Sequence, residues 1–163
     1  MLIYLMRHGI AEEISPRGDA GRELTQQGTL RTAMVAKGLH KAGLTFDRII
    51  SSPYIRAKQT AEIVARITGH DHEIMFDQRL LPQGGYADVS DLIKENNDVA
   101  SLLLAGHEPS MGGFISGICA DGQLSLNVKK ASVTAIELYR FSPSVAGSLL
   151  WMLPPGILEG ISQ

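Results

Sequence analysis

Three short segments of this chain place cationic and imidazole side chains directly after apolar runs. Arg7-His8-Gly9 follows Leu2-Ile3-Tyr4-Leu5-Met6, and Gly106-His107-Glu108-Pro109 follows the run from Ala100 to Ala105. Ser51-Ser52-Pro53 follows Ile49-Ile50 and delivers Arg56 shortly afterwards. An arginine fork matches a tetrahedral oxyanion and keeps its charge at any working pH. A histidine titrates at about 6.5 when unperturbed, so it serves near neutrality as a neutral nucleophile or a charged donor. Two arginines and two histidines with no accompanying carboxylate ligand set describe a phosphate pocket, not a metal site. Helix N-termini expected after Ser52 and after Pro109 would add backbone donors and a positive dipole end.

Each segment alone has an ordinary explanation. An Arg-His pair after a strand is usually a solvated strand end, a histidine before a helix is usually a cap or a packed polar residue, and Ser-Pro is a common helix start. Their coincidence at corresponding positions is what carries weight, because in open α/β sheets ligands bind at the carboxyl ends of the strands.

The elements needed to align those ends are legible in the pattern. Leu2 to Met6 reads as a buried strand, and the polar stretch from Ile10 to Glu23 as loop. From Thr25 to about Lys41 the residues are helix formers, with Leu30, Met34, Val35, Leu39 and Ala42 near helical spacing, Thr25 as N-cap and Gly43 as stop. Asp47 to Ser51 is a second strand. Ser52-Pro53 reads as an N-cap and first-turn proline of a helix to about Thr68, with Ala57, Ala61 and Val64 on its buried stripe and Gly69 ending it. Glu73 to Phe76 is a short strand, Leu81 to Gly85 a turn, and a weaker helix runs from about Asp88 to Asn96. Ala100 to Ala105 is the most apolar strand and so the central one, followed by a helix from about Ser110 to Cys119. Ser132 to Tyr139 and Ser148 to Met152 read as a final antiparallel pair. This alternation predicts an α/β fold: a three-layer α/β/α sandwich whose mostly parallel sheet carries an antiparallel edge.

The composition sets bounds on the partners. The 163 residues suit one domain spanning 1–163, with 44% apolar and 20% charged residues. Fifteen Lys and Arg against seventeen Asp and Glu give a net charge of −2, which argues against broad capture of nucleic acid or anionic lipid. The single cysteine, Cys119, allows no internal disulfide and suits a reducing, cytoplasmic setting; it reads as core. The apolar runs are too short to cross a bilayer, and no signal peptide is evident. A monomer is the default expectation. His70 and His72 with Glu73 are two ligand types at close spacing but lack further ligands, so no metal and no cofactor are expected.

The motifs also resemble a known family. Met6-Arg7-His8-Gly9 is similar to the Arg-His-Gly signature of the histidine phosphatase superfamily, which includes the phosphoglycerate mutases. Arg22-Glu23-Leu24-Thr25-Gln26-Gln27-Gly28, the segment from Ser52 to Ala61, and Leu104-Ala105-Gly106-His107-Glu108-Pro109 resemble its later segments, in the right order along the chain. The small size and the Gly-His-Glu-Pro wording look most like the SixA-type phosphohistidine phosphatase branch. The resemblance implies a phosphoglycerate mutase-like fold and a hydrolase in which His8 is the nucleophile and forms a phosphohistidine intermediate. It implies that Arg7, Arg56 and His107 bind the phosphoryl oxygens, with Arg22 as a fourth cation.

One departure from the family pattern bears on the substrate. Where mutases and phosphomonoesterases place an acid after the third strand, this chain reads Arg79-Leu80-Leu81-Pro82-Gln83-Gly84-Gly85, with proline at that point. An alkoxide leaving group gains much from a general acid, whereas the imidazole leaving phosphohistidine is far less basic. The expected substrate is therefore phosphohistidine on a phosphorelay or phosphocarrier protein, with inorganic phosphate as product. Asp88 or Glu108 remains open as an alternative proton donor. A small-molecule phosphomonoesterase of the same superfamily and a non-catalytic phosphate-binding domain are the competing readings.

Overall fold

The computed structural model describes residues 1–163. Its strands are β1 (Leu2–Arg7), β2 (Arg48–Ser51), β3 (Met75–Phe76), β4 (Ser101–Gly106), β5 (Val133–Arg140) and β6 (Ala146–Leu153). Its helices are α1 (Gln26–Lys41), α2 (Ile55–Thr68), α3 (Tyr86–Glu95), α4 (Ser110–Ala120) and α5 (Pro155–Ser162). The strands form one sheet in the order β3-β2-β4-β1-β5-β6. β1, β2, β3 and β4 pair in parallel, while β5 and β6 add an antiparallel edge. This is the expected three-layer architecture.

The two strands at the centre explain why both faces are covered. Along β1, Ile3 and Leu5 point into one apolar cluster while Tyr4 and Met6 point into the other; along β4, Leu102 and Leu104 oppose Leu103 and Ala105 in the same way. Side chains alternate across a strand, so an uninterrupted apolar run has to be buried on both sides. Residues of α3 and α4 fill the first cluster, and residues of α1, α2 and α5 fill the second.

Local signals set most helix ends. The Thr25 hydroxyl accepts the Gly28 N–H and caps α1, a contact worth about 1 kcal/mol. Gly69 closes α2 in the left-handed conformation. Gly28 is needed for a different reason: a Cβ there would lie 1.9 Å from the Ile10 carbonyl, so α1 can press on the loop that leaves β1 only because the side chain is missing. No helix is long and apolar enough to cross a membrane.

Several expectations are corrected. Of the apolar residues expected on the inner side of α1, Val35 and Leu39 are buried, but Leu30, Met34 and Ala42 face outward, and Thr32 and Ala36 complete the buried side. Ser52 and Pro53 do not start α2; the cap position belongs to Tyr54 and the first helical residue is Ile55. The C-terminal helix α5 was not anticipated; it packs on α1, where Arg31 pairs with Glu159 at 2.6 Å. Cys119 is half-buried at the margin of a core cluster.

Candidate active site

Strand register brings the chemistry together. Arg7 of β1 pairs with Gly106 of β4, and Ser51 of β2 pairs with Ala105 of the same strand. The next residues, His8, His107 and Ser52, therefore leave three adjacent strand ends at one level. Backbone bonds extend the ladder there: His8 N–H donates to the Gly106 carbonyl at 3.0 Å and Ser52 N–H to the Ala105 carbonyl at 2.9 Å. The imidazoles of His8 and His107 end up 5.0 Å apart between ring centroids.

His8 is almost fully buried, and its tautomer follows from its contacts. Nδ1 lies 2.7 Å from the Gly9 carbonyl, which can only accept, so Nδ1 carries the proton and Nε2 keeps its lone pair. Arg56 Nε–H donates to that lone pair at 3.2 Å. Burial pushes the His8 imidazole down to about 3, against the opposing pull of the Gly9 carbonyl and with help from Arg56, Arg7 and Lys130. His8 is thus a neutral base whose one nitrogen lone pair faces positive charges.

The loop after β1 is held to α2 by a short chain of bonds. Gly9 N–H donates to Thr60 Oγ1 at 3.1 Å, and the Thr60 hydroxyl donates to the Arg56 carbonyl one turn earlier at 2.7 Å. Arg56 itself is buried, with Nη1 donating to the Asp19 carbonyl at 2.6 Å and Nη2 to the Asp19 carboxylate at 3.1 Å. The Tyr54 ring lies 5.1 Å from its guanidinium carbon. Arg7 donates through Nη1 to the Val128 carbonyl at 2.7 Å, and burial lowers its pKa, opposed by Glu108. His107 is buried as completely as the core, and its Nε2 lies 2.8 Å from Ser52 Oγ. Burial, then the neighbouring His8, Arg56 and Arg7, push its imidazole down to about 3, while Asp19 opposes.

The structure therefore brings Arg7, His8, Arg56 and His107 into one cluster. Arg22 stands further out, bonded to the Glu12 carbonyl at 2.5 Å and to the Asp19 carboxylate at 2.8 Å, and it reaches the cluster through Asp19. Asp19 is a residue the motifs did not point to: it lies in a polar loop with other acids and bridges Arg22 and Arg56. Its pKa is lowered, first by the Arg22 hydrogen bond and then by Arg56, so it is a carboxylate and not a proton donor. Ser52, Tyr54 and Thr60 lay within the segment whose motif pointed to Arg56, but nothing in that motif gave them a role of their own.

Of the two acids left open, Asp88 is turned back on its own helix, accepting the Gly85 N–H at 2.8 Å. Glu108 accepts the Gly112 N–H at 2.9 Å and lines the largest groove of the surface, about 510 Å³, which also borders on Arg7. Gly112, Gly113, Asn127 and Leu124 form other parts of that wall. His70 and His72 stack edge to face 5.6 Å apart, and His70 is bonded to the Phe46 carbonyl; no group of three or more His, Cys, Asp or Glu is arranged to hold a metal ion.

Residues 3–81 match the model of the histidine phosphatase superfamily (branch 1). The chain belongs to the histidine phosphatase superfamily. An uncharacterized protein of Picosynechococcus is 38% identical over 142 residues, covering 84% of this chain and 85% of that protein. The phosphohistidine phosphatase SixA of Escherichia coli is 27% identical over 157 residues, covering 95% of this chain and 94% of its own. The solved structure of the protein histidine phosphatase SixA complexed with tungstate superposes with a TM-score of 0.88 at 27% identity, covering 97% of this chain and 99% of that one. Within the histidine phosphatase superfamily this chain is a phosphatase similar to SixA.

Proposed function

We propose that the protein is a phosphohistidine phosphatase that works through a covalent intermediate on His8. The observation that carries the reading is the fixed tautomer: a buried, neutral imidazole with Nδ1–H on the Gly9 carbonyl and a lone pair on Nε2 among Arg7, Arg56 and His107. In the first step Nε2 of His8 bonds to phosphorus while the bond from phosphorus to the substrate's imidazole nitrogen breaks; the departing nitrogen takes the electron pair and a proton from solvent. In the second step water attacks phosphorus, the bond to Nε2 breaks, and inorganic phosphate leaves. Arg7, Arg56 and His107 bind the phosphoryl oxygens and offset the charge that develops on them. Arg22 is assigned an outer role, acting through Asp19.

The leaving group supports this substrate class. Pro82 stands where relatives that hydrolyse esters would place an acid, Asp88 is engaged in its own helix, and Asp19 is held ionised between two arginines. Such a site suits the weakly basic imidazole better than an alkoxide. Tungstate bound by the SixA relative is a tetrahedral oxyanion of the kind this cluster would hold. The open groove next to Arg7 leaves room for a histidine presented on a phosphorelay or phosphocarrier protein, in the cytoplasmic setting expected for a chain with one free cysteine.

A small-molecule phosphomonoesterase is the second reading, favoured by one observation: the Glu108 carboxylate lines that groove beside Arg7. A panel of phosphohistidine protein, phosphoaspartate protein, phosphoserine peptide and sugar phosphates at equal concentration separates the two. The first reading requires the highest kcat/KM on the phosphohistidine protein. A preference for a sugar phosphate or phosphoserine, abolished in Glu108→Gln, would establish the second.

A further inference from the structure

Ser52 lies wholly buried between β2 and α2, and its hydroxyl does not do what a serine before Pro53 is expected to do. It caps no helix. Its Oγ accepts the Tyr54 N–H at 3.3 Å and lies 2.8 Å from Nε2 of His107, 55 positions away. On the other side of the His107 ring, Nδ1 is buried without a protein partner.

We infer that Ser52 is a positioning residue: its hydroxyl donates to His107 Nε2 and so fixes the proton of the neutral ring on Nδ1, where it serves a phosphoryl oxygen. The inference rests on the proposed binding of a phosphoryl group between His8 and His107.

The number of protons available decides the tautomer. A hydroxyl has one hydrogen to give and two lone pairs. If His107 carried its proton on Nε2, Ser52 Oγ would accept from both Tyr54 and His107, and its own hydrogen would be buried with nothing to meet. The bare Nδ1 would then turn a lone pair, not a donor, toward an incoming dianion. With the proton on Nδ1, Tyr54 N–H, Ser52 O–H and His107 Nε2 form one directed chain. Every member is satisfied except Nδ1–H, and that donor is then the one free to meet substrate. Burial and the charges of Arg56 and Arg7 keep the ring neutral, so it has a single proton to place. The arrangement complements that of His8, whose proton is also on Nδ1 but is spent on the Gly9 carbonyl, leaving Nε2 bare. Two similar rings are thereby set to opposite tasks, one as nucleophile and one as donor.

The test is nitrogen-15 NMR of histidine-labelled protein, with the His107 signals assigned through His107→Gln. The wild type is expected to show a protonated Nδ1 and a bare Nε2 at His107; a protonated Nε2 overturns the inference without any variant being needed. Ser52→Ala should give an averaged mixture of tautomers and a kcat on a generic aryl phosphate lowered about tenfold to a hundredfold, by analogy with removing the hydrogen-bond partner that orients a metal-ligating histidine. Ser52→Thr, which keeps the hydroxyl, should restore both readouts. In a His107→Ala background, Ser52→Ala should cost no further rate; a full additional loss would show that the hydroxyl acts elsewhere. The spectrum does not depend on the substrate. Failure of the phosphohistidine panel with the expected tautomer present would therefore count against the proposed substrate and not against the role of Ser52.

Discussion

The Nε–H of Arg56 donates to Nε2 of His8 across 3.2 Å, in a cluster from which solvent is nearly excluded. The cation proposed to bind the phosphoryl group thus already touches the nitrogen proposed as nucleophile. On the proposed mechanism, an arriving phosphoryl oxygen would take over the Arg56 donor and leave the released lone pair facing phosphorus. Asp19 holds the far side of the same guanidinium through its carbonyl and its carboxylate, which limits how far Arg56 can swing.

The two histidines should fail differently. On the proposed roles, His107→Ala removes a donor to the phosphoryl oxygens and leaves the nucleophile, which typically costs about 10²–10³ in rate, or roughly 3–4 kcal/mol. His8→Ala should abolish turnover while retaining binding of vanadate through Arg7, Arg56 and His107. Steady-state rates and vanadate titrations of the two variants check this; equal residual rates would remove the distinction.

Asp19→Asn should tighten inorganic phosphate binding while lowering kcat. The carboxylate now competes with phosphate for Arg56 and repels the dianion, yet it also orients the guanidinium. A partly exposed charge of this kind is worth about 1 kcal/mol, or roughly fivefold in Kd by calorimetry. Weaker phosphate binding in the variant would mean that its positioning role outweighs the repulsion.

Stability should fall on mild acidification. His8 and His107 are pushed down to about 3 in the folded protein but titrate near 6.5 when unfolded. Between those values the unfolded chain binds protons that the folded chain refuses, so the unfolding free energy rises with pH across that window and levels off above it. Urea midpoints at pH 7.5, 6 and 5 should decline in that order, and His107→Gln should show a shallower decline. His8 still titrates in the variant, so the decline should be reduced and not abolished, and identical slopes would contradict the burial of a neutral His107.

Gly28→Ala should destabilise the fold by about 1–3 kcal/mol, because its new methyl would meet the Ile10 carbonyl at 1.9 Å and push the loop that carries Gly9. Gly160→Ala, within α5 and with open space around it, should instead be neutral or stabilising by up to about 1 kcal/mol. Chemical denaturation of both variants checks the pair.

Much of this site was legible because the strands that carry it are written as apolar runs. Leu102 to Ala105 demanded burial on both faces, and that requirement put β4 between β1 and β2 and set His8 beside His107. What local pattern does not encode is where a polar side chain finds its partner. Ser52 before Pro53 has the signature of a helix cap, and only the packing of β2 against β4 shows that its hydroxyl meets His107. Asp19 sits in a loop with several other acids, and nothing in its neighbours marks it as the carboxylate that reaches Arg56. Leu30 and Met34 share helical spacing with the buried Val35 and Leu39 but fall on the outward side of α1, whereas the small Thr32, Ala36 and Gly38 are buried, Gly38 directly against Leu158 of α5. Helix α5 is eight residues long with two glycines, too short and too weakly patterned to announce itself before its contact with α1 is known.

The most direct test of the account is a single-turnover reaction with a phosphohistidine-bearing protein labelled with radioactive phosphate, quenched in alkali and mapped by peptide. The account predicts an acid-labile, alkali-stable label that appears on the peptide containing His8, passes to inorganic phosphate, and is absent in His8→Ala. Label trapped on His107, or phosphate released with no labelled enzyme at any time, would contradict it.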